Sequence, residues 1–279
     1  MAAAPGSISA RRGKPWPDPS LLPEDRVFFT QEQVEDLAAG LEQMRRDYAG
    51  FRLRLVRAPL RTAAAREQAD HGLGRRLSML AHCIEQTYAL LPPALEHIPT
   101  RDATQSATAH IQAFVMNAFG CCENMAWIWL HERQPEARGG RAWPRTRVGL
   151  LPGQDEFRST FPARFQAYLA SRDPWFVHLK DFRDALAHQI PLYIPPWSVD
   201  PEDADAYNAL KARAEAARLG GADEEAMRLD EEAMAMARFV PVMQHRLDRG
   251  PPVIFHPQML ADFSTIIEMG SLLLDQLDD

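Results

Sequence analysis

Arg183 and His188 stand five residues apart in one short segment, and both side chains carry chemistry that acts on phosphates. A histidine can accept or release a proton near neutral pH, and a guanidinium is suited to binding a phosphate. Asp184 precedes His188 by four residues, so on a helix its carboxylate could contact the imidazole, fix the tautomer and raise the histidine pKa. These three residues form the candidate catalytic group.

The segment that carries them is predicted to be one helix. Asp173 is the predicted N-cap, Pro174 occupies the first helical position, and the helix should end at Ile190 before Pro191. At about 100° per residue, one face is apolar and consists of Leu179, Phe182, Leu186 and Ile190. The opposite face carries Asp181, Asp184 and His188, which therefore point away from the core of the bundle.

Arg183 lies about 140° around this helix from His188, so a single chain cannot easily direct both groups at one phosphate. A second copy, packed antiparallel across a two-fold axis, would bring each histidine near the arginine of the other chain. This geometry predicts a homodimer. Alternatively, Arg183 and Asp184 are an exposed ion pair, and His188 is an ordinary C-terminal histidine that the helix dipole favours.

The Arg-Asp-x-x-x-His motif resembles the R-x4-6-H signature of the HEPN superfamily of helical bundle domains. The sequence from Phe182 to Pro196 is similar to the motif region of a group of bacterial HEPN-like proteins. An upstream segment, Asn117-x-x-Gly120-x-x-Glu123-Asn124-x-Ala126-Trp127, resembles the helix that accompanies it. The resemblance covers roughly residues 75 to 196 and the terminal helix, but neither the first sixty residues nor a charged segment after residue 200.

Many members of this superfamily are metal-independent ribonucleases that act as dimers, sometimes in phage defence or toxin systems. The resemblance implies that His188 is the general acid or base, that Arg183 stabilises the charge on the phosphorane, and that Asp184 orients the histidine. The 2′-hydroxyl of RNA would attack and leave a cyclic phosphate. Other members only bind or scaffold, so a non-catalytic nucleotide-binding or protein-interaction module is the alternative.

Four further residues are candidates for substrate binding, namely Asn117, Asn124, Lys180 and Tyr193. The two asparagines are seven residues apart on one stripe with His110 and His131, and this stripe could line the same cleft. Alternatively, these amides make structural hydrogen bonds inside the bundle. An arginine-rich stretch could hold an RNA backbone or simply be a solvated helix face, and its members are Arg45, Arg46, Arg52, Arg54, Arg57 and Arg61.

Composition restricts the function further. The net charge of −7 argues against a protein that coats nucleic acid, so any RNA contact must be local. No HExxH motif, CxxC pair or phosphate-binding glycine loop is present, and we therefore predict neither a metal nor a cofactor. Three cysteines without a disulfide pattern and the lack of an apolar leader or membrane span favour a cytoplasmic protein that does not contact membranes.

The pattern of apolar residues predicts an all-α bundle. Residues 1–26 are expected to be a disordered tail, and residues 27–279 a single domain with an insertion over about 198–256. Helices are predicted from Thr30 to Pro59, from there to about Leu91, over about Ala103–Glu132 and Ala163–Ser171, and from Pro257 onward. The insertion reads as a charged helical hairpin over 200–237, which could engage a partner protein, followed by a small β-hairpin at 240–243 and 253–255.

Overall fold

The computed structural model describes residues 28–137, 139–245 and 252–277, so the predicted tail lies outside the described residues. The chain is mostly helical, which confirms the all-α prediction. The α-helices are α1 (Gln31–Arg57), α2 (Ala63–Glu67), α3 (Gly74–Leu90), α4 (Arg101–Arg133), α5 (Asp155–Arg158), α6 (Ala163–Ser171), α7 (Asp173–His188), α8 (Ala204–Leu219), α9 (Asp223–Met234) and α10 (Phe255–Asp275).

Helix α1 begins as its sequence predicts. The Thr30 hydroxyl accepts a hydrogen bond from the Gln33 backbone N–H at 3.2 Å, and the Gln33 side chain accepts one from the Thr30 N–H at 3.0 Å. This reciprocal pair satisfies two N–H groups that have no partner within the helix. At the other end, the Arg66 guanidinium donates to the carbonyls of Leu55, Val56 and Ala58, which closes the C-terminus of α1.

The second predicted helix contains a π-helical turn, Gln68–Leu73, between α2 and α3. Two glycines near this turn make room for side chains of neighbouring helices. A Cβ atom at Gly72 would collide with the Asn124 amide, and one at Gly74 would collide with the Arg52 guanidinium. The glycines therefore permit close packing of α1 and α4 against this turn, rather than merely weakening a helix.

Helix α7, which carries the motif, differs from the prediction at both ends. Arg172 occupies the N-cap position and Asp173 is already helical, because its carboxylate accepts a hydrogen bond from Arg158 Nη1 at 2.8 Å instead of capping the helix. The helix ends at His188, and Ile190 lies beyond it with 59% of its surface exposed. The buried face consists of Phe176, Leu179, Phe182 and Ala185.

Helix α10 packs against α1 and α3 and holds the start of α7 through a buried carboxylate. Asp262 Oδ1 accepts hydrogen bonds from Trp175 Nε1 at 2.8 Å and from Gln258 Nε2 at 2.7 Å. The hydrogen bond from Trp175 ties the first turn of the motif helix to the core of the bundle. The predicted β-hairpin next to α10 is confirmed, since β3 (Val242–Met243) pairs antiparallel with β4 (Val253–Ile254).

The described residues form two compact units. The smaller contains Glu96–Arg101 and Pro196–Phe239, and the larger contains the rest. The smaller unit is the predicted helical hairpin, α8 and α9, with a core of Leu210, Ala214, Leu229 and Ala233. A short sheet of β1 (Ser198–Val199) and β2 (Ala237–Arg238) closes its base, and the sequence pattern did not predict this pairing. The small β-hairpin belongs to the larger unit, so the insertion unit ends at Phe239.

Candidate functional site

The charged side chains of α7 are organised around Asp184. One carboxylate oxygen accepts a hydrogen bond from Lys180 Nζ, and the other lies 2.8 Å from Arg183 Nη1. Partial burial would raise the pKa of this carboxyl, but the Lys180 hydrogen bond and the charges of Arg183, Lys180 and His188 outweigh it and lower the pKa. Asp184 therefore stays ionised at neutral pH and neutralises part of the positive charge of the helix.

The Arg183 guanidinium lies on the Phe119 ring of α4. Its central carbon is 4.1 Å from the ring centroid, and only 25% of the side chain is exposed. The Nε–H is buried and has no hydrogen-bond partner in the described part of the chain. A cation–π contact of this kind holds the guanidinium against the ring.

His188 is the last residue of α7 and is exposed. Within the described residues, its imidazole forms no hydrogen bond with Asp184, whose oxygens bind Lys180 and Arg183. The reason lies one turn earlier, because Lys180 also stands four residues from Asp184 and carries a full positive charge. The structure thus places the three predicted catalytic residues on one helix but directs the carboxylate toward the two cations.

Asn117 and Asn124 both bind Arg76 of α3. Arg76 Nε donates to Asn124 Oδ1 at 3.0 Å, and Arg76 Nη1 donates to Asn117 Oδ1 at 3.2 Å. The amide nitrogen of Asn124 donates to Gln68 Oε1 at 2.8 Å, and that of Asn117 donates to the Ala113 carbonyl at 2.8 Å. The amides therefore make the internal hydrogen bonds that the sequence left as an alternative.

Gly120 explains the spacing of this upstream motif. A Cβ atom there would collide with the guanidinium of Arg76. Asn117 and Asn124 lie one turn before and one turn after Gly120, so the pattern Asn-x-x-Gly-x-x-x-Asn forms a cradle for one arginine. Sequence reasoning missed Arg76, because nothing in its local sequence shows which helix it reaches.

The remaining predicted residues have intramolecular partners. Lys180 binds Asp184, as described above. The Tyr193 hydroxyl accepts a hydrogen bond from Gln244 Nε2 at 2.6 Å, and the backbones of these two residues pair as an isolated β-bridge. The histidines of the predicted stripe pack on other aromatic rings. The ring centroids of His110 and His82 lie 5.6 Å apart, and His131 stacks on Trp127 with a centroid distance of 5.5 Å.

A second cluster of titratable side chains joins α7 to His245, and the sequence analysis did not predict it. His245 Nε2 lies 3.1 Å from Asp181 Oδ2, and the Phe182 ring lies 4.8 Å from the His245 ring and 4.6 Å from that of His178. His245 is buried, whereas the Asp181 side chain is 60% exposed. Burial lowers the pKa of His178, and His245 lowers it further against the opposing effect of Asp181. This cluster attaches the segment that carries His245 to α7.

Half of the arginine-rich stretch pairs with carboxylates. Arg45 pairs with Glu42 and Glu85, Arg54 pairs with Asp275, and Arg61 pairs with Glu132. A shallow cavity of about 310 Å³ at the end of α1 contains Arg54 and Arg57 of this stretch but none of the predicted catalytic or substrate-binding residues. It is lined by Gly50, Leu53, Arg54, Arg57, Ala58, Pro59 and Leu274. These pairings favour the solvated helix face over an RNA-binding surface.

In the described ranges, no three histidine, cysteine, aspartate or glutamate side chains come together as a metal site. No described helix is long and apolar enough to cross a membrane. Comparison with known proteins found no matching family model, no matching curated protein and no matching solved structure.

Proposed function

We propose that this chain is a HEPN-like, metal-independent endoribonuclease. The observation that carries the proposal is the exposed imidazole of His188 at the end of α7, on the same helix as the guanidinium of Arg183. An exposed histidine can reach a substrate, whereas a histidine packed among apolar side chains could not. The resemblance of the motif and of the upstream Asn-x-x-Gly segment to HEPN proteins adds to this support.

In the proposed reaction, the 2′-oxygen of a ribose attacks the adjacent phosphorus and the bond to the 5′-oxygen breaks. One imidazole takes the proton from the 2′-hydroxyl while water protonates the leaving 5′-oxygen, or it protonates the 5′-oxygen while water takes the proton of the 2′-hydroxyl. The guanidinium stabilises the additional negative charge on the phosphorane. The products are a 2′,3′-cyclic phosphate and a 5′-hydroxyl, and no metal takes part.

The site is proposed to need two chains, because Arg183 and His188 point about 140° apart on one helix. His188 of one copy would then act together with Arg183 of the other. Lys180 lies one turn before Asp184 and adds a second cation to this surface. This arrangement would make the enzyme a homodimer with two equivalent sites.

The second candidate function is a non-catalytic binding module. A specific observation favours it, because Arg183 already pairs with Asp184 and packs on Phe119. In that case Arg183 mainly holds α7 on α4, and the exposed surface binds a nucleotide or protein without cleaving anything.

The test is RNA cleavage with EDTA present by the wild type, His188→Ala and Arg183→Ala. We expect both variants to lose at least about 100-fold in rate, the usual contribution of an acid–base group. His97→Ala, which removes an exposed histidine outside the motif, is the matched control and should keep full activity. Mass spectrometry should detect the cyclic phosphate. Equal cleavage by all proteins, or binding without cleavage, refutes the nuclease proposal.

Mixing the two inactive variants tests the shared site. In a mixed dimer of His188→Ala and Arg183→Ala, one of the two sites keeps its histidine and the arginine of the other chain. Random exchange of subunits would restore about a quarter of the wild-type sites. If each site were built from a single chain, mixing would restore nothing.

A further inference from the structure

Arg76 is an arginine whose hydrogen-bond partners are neutral. It binds the amide oxygens of Asn117 and Asn124, and in the described residues it pairs with no carboxylate. Half of the other described arginines of the larger unit have an acidic partner, namely Arg45, Arg54, Arg61, Arg66, Arg147, Arg158, Arg172 and Arg183. A partly buried guanidinium without a counter-charge retains its full attraction for an anion.

The cradle holds this guanidinium in one position. Gln68 and the Ala113 carbonyl accept from the two asparagine amide nitrogens, so both amide oxygens must face Arg76. Gly120 removes the side chain that would otherwise occupy the same space. The hydrogen bonds to Asn117 and Asn124 use Nη1 and Nε, which leaves the N–H groups of Nη2 to contact a ligand.

Arg76 and Arg183 contact consecutive residues of α4. Arg183 lies over Phe119 and Arg76 lies against Gly120, which is the next residue. With Met116 as the origin of a helical wheel, Phe119 falls at about −60° and Gly120 at about +40°. The two arginines therefore flank the exposed stripe of α4 that carries Met116, which is 42% exposed, and Glu123.

We infer that Arg76 is a further substrate-binding residue, which contacts a phosphate of a single RNA strand lying along this stripe of α4. The inference rests on the proposed function, because that function makes RNA the anion. Arg76 and Arg183 would hold the strand from two sides, and the apolar Met116 between them would contact a base or ribose. Glu123 carries the opposing charge on this stripe and would weaken binding.

The experiment measures binding separately from cleavage. The probe is a fluorescent 2′-O-methyl RNA oligonucleotide, which lacks the attacking hydroxyl, and anisotropy is recorded from 50 to 300 mM salt. Loss of one phosphate contact to a single strand should reduce the slope of log K against log salt by about 0.7, and weaken binding about fivefold at 0.1 M salt. Arg76→Gln is expected to show both effects.

Two variants separate the charge of Arg76 from its structural role. Asn124→Asp places a carboxylate against the guanidinium, and so neutralises Arg76 without removing it. This variant should lose as much affinity as Arg76→Gln. It also removes the Asn124 N–H that donates to Gln68 Oε1, so its thermal unfolding midpoint is recorded and binding is measured well below that temperature. Arg46→Gln is the matched control, because Arg46 is exposed and hydrogen-bonds to the neutral Gln43, and this substitution changes the net charge by the same amount. Glu123→Gln should tighten binding.

The outcomes distinguish this inference from the proposed function. If Arg76→Gln and Asn124→Asp bind like the wild type, or if Arg46→Gln loses as much affinity, Arg76 is only structural and the inference fails, whatever the cleavage assay shows. Failure of the wild type to bind the probe also overturns it. Binding that depends on Arg76 in a protein that cleaves no RNA supports the inference and refutes the nuclease. In an active enzyme, Arg76→Gln should raise KM, whereas His188→Ala should lower kcat.

Discussion

The inner face of α10 carries two buried titratable groups that should respond to pH in opposite directions. Burial lowers the pKa of His256 to about 4, although its Nε2 lies 2.6 Å from the Leu91 carbonyl. Burial raises the pKa of Asp262 to about 6, against the opposing effect of the Trp175 and Gln258 hydrogen bonds. Because α10 holds the start of α7 through Asp262, these groups affect the stability of the element that positions the candidate site.

The two groups change the free energy of unfolding with pH in opposite directions. The raised pKa of Asp262 means that its contribution to stability is complete below about pH 3.8, the value in the unfolded chain, and is lost as the pH rises through 6. The lowered pKa of His256 means that its contribution is complete above about pH 6.5 and is lost as the pH falls toward 4. Each shift corresponds to about 3 kcal/mol of unfolding free energy, so in the wild type the two nearly cancel.

Asp262→Asn removes one of the two opposing contributions and should reveal the pH dependence that His256 causes. Both hydrogen bonds to this residue end on Oδ1, and the asparagine keeps an acceptor at that position. We expect the variant to match the wild type near pH 4 and to be up to about 3 kcal/mol more stable at pH 8. His256→Phe, whose ring suits the neighbouring Phe29, Tyr88 and Phe255, should shift the profile the other way.

The assay is urea unfolding of the three proteins at fixed pH values from 4 to 8, with the difference in unfolding free energy taken at each pH. The comparison between proteins removes the contribution of all other titrating groups. A difference between Asp262→Asn and the wild type that stays constant within about 0.5 kcal/mol across this range would refute the reasoning, because a pH-independent difference reflects packing alone.

Two further predictions concern the core. The Glu132 carboxylate is buried and accepts hydrogen bonds from the backbone N–H groups of Arg61 at 2.9 Å and Thr62 at 3.1 Å. Glu132→Ala should therefore lower the free energy of unfolding, measured in urea, by about 2–3 kcal/mol. A loss under about 0.5 kcal/mol would contradict this prediction. Burial raises the pKa of all three cysteine thiols, to about 11 for Cys83 and about 12 for Cys121. Ellman's reagent should therefore label no thiol in the native chain and three thiols after denaturation. Fast labelling of the folded protein would contradict this prediction and show that the core opens.

The helices were predictable because local signals define them. Thr30 with Gln33 marked the start of α1, and the apolar run marked α4 within two residues of its observed ends. The predicted N-cap of α7 was wrong by one residue, because only Arg172 separates α6 from α7 and the Asp173 carboxylate binds Arg158. A capping residue can be recognised from sequence only when no other charged group competes for its side chain.

The site was only partly predictable for a related reason. Helical spacing placed Asp184 four residues from His188, but Lys180 stands at the same distance on the other side and forms the stronger contact. The partner of Asn117 and Asn124 lies 41 and 48 residues away along the chain, on a helix that follows a π-turn. Sequence periodicity indicates which face of a helix is buried, but it does not identify the residue that meets that face.

We expect the charge of the partner, rather than exposure alone, to determine how strongly each arginine of this acidic chain can attract a phosphate. Arg54 and Arg172 are more than a third exposed, yet each already holds a carboxylate and has little attraction left for a phosphate. Arg183 is less exposed and shares its charge with Asp184. Arg76 is held in place by neutral amides, and its charge therefore remains available. If the surface of α4 binds RNA, the affinity should depend on Arg76 more than on any of the more exposed arginines that already pair with a carboxylate.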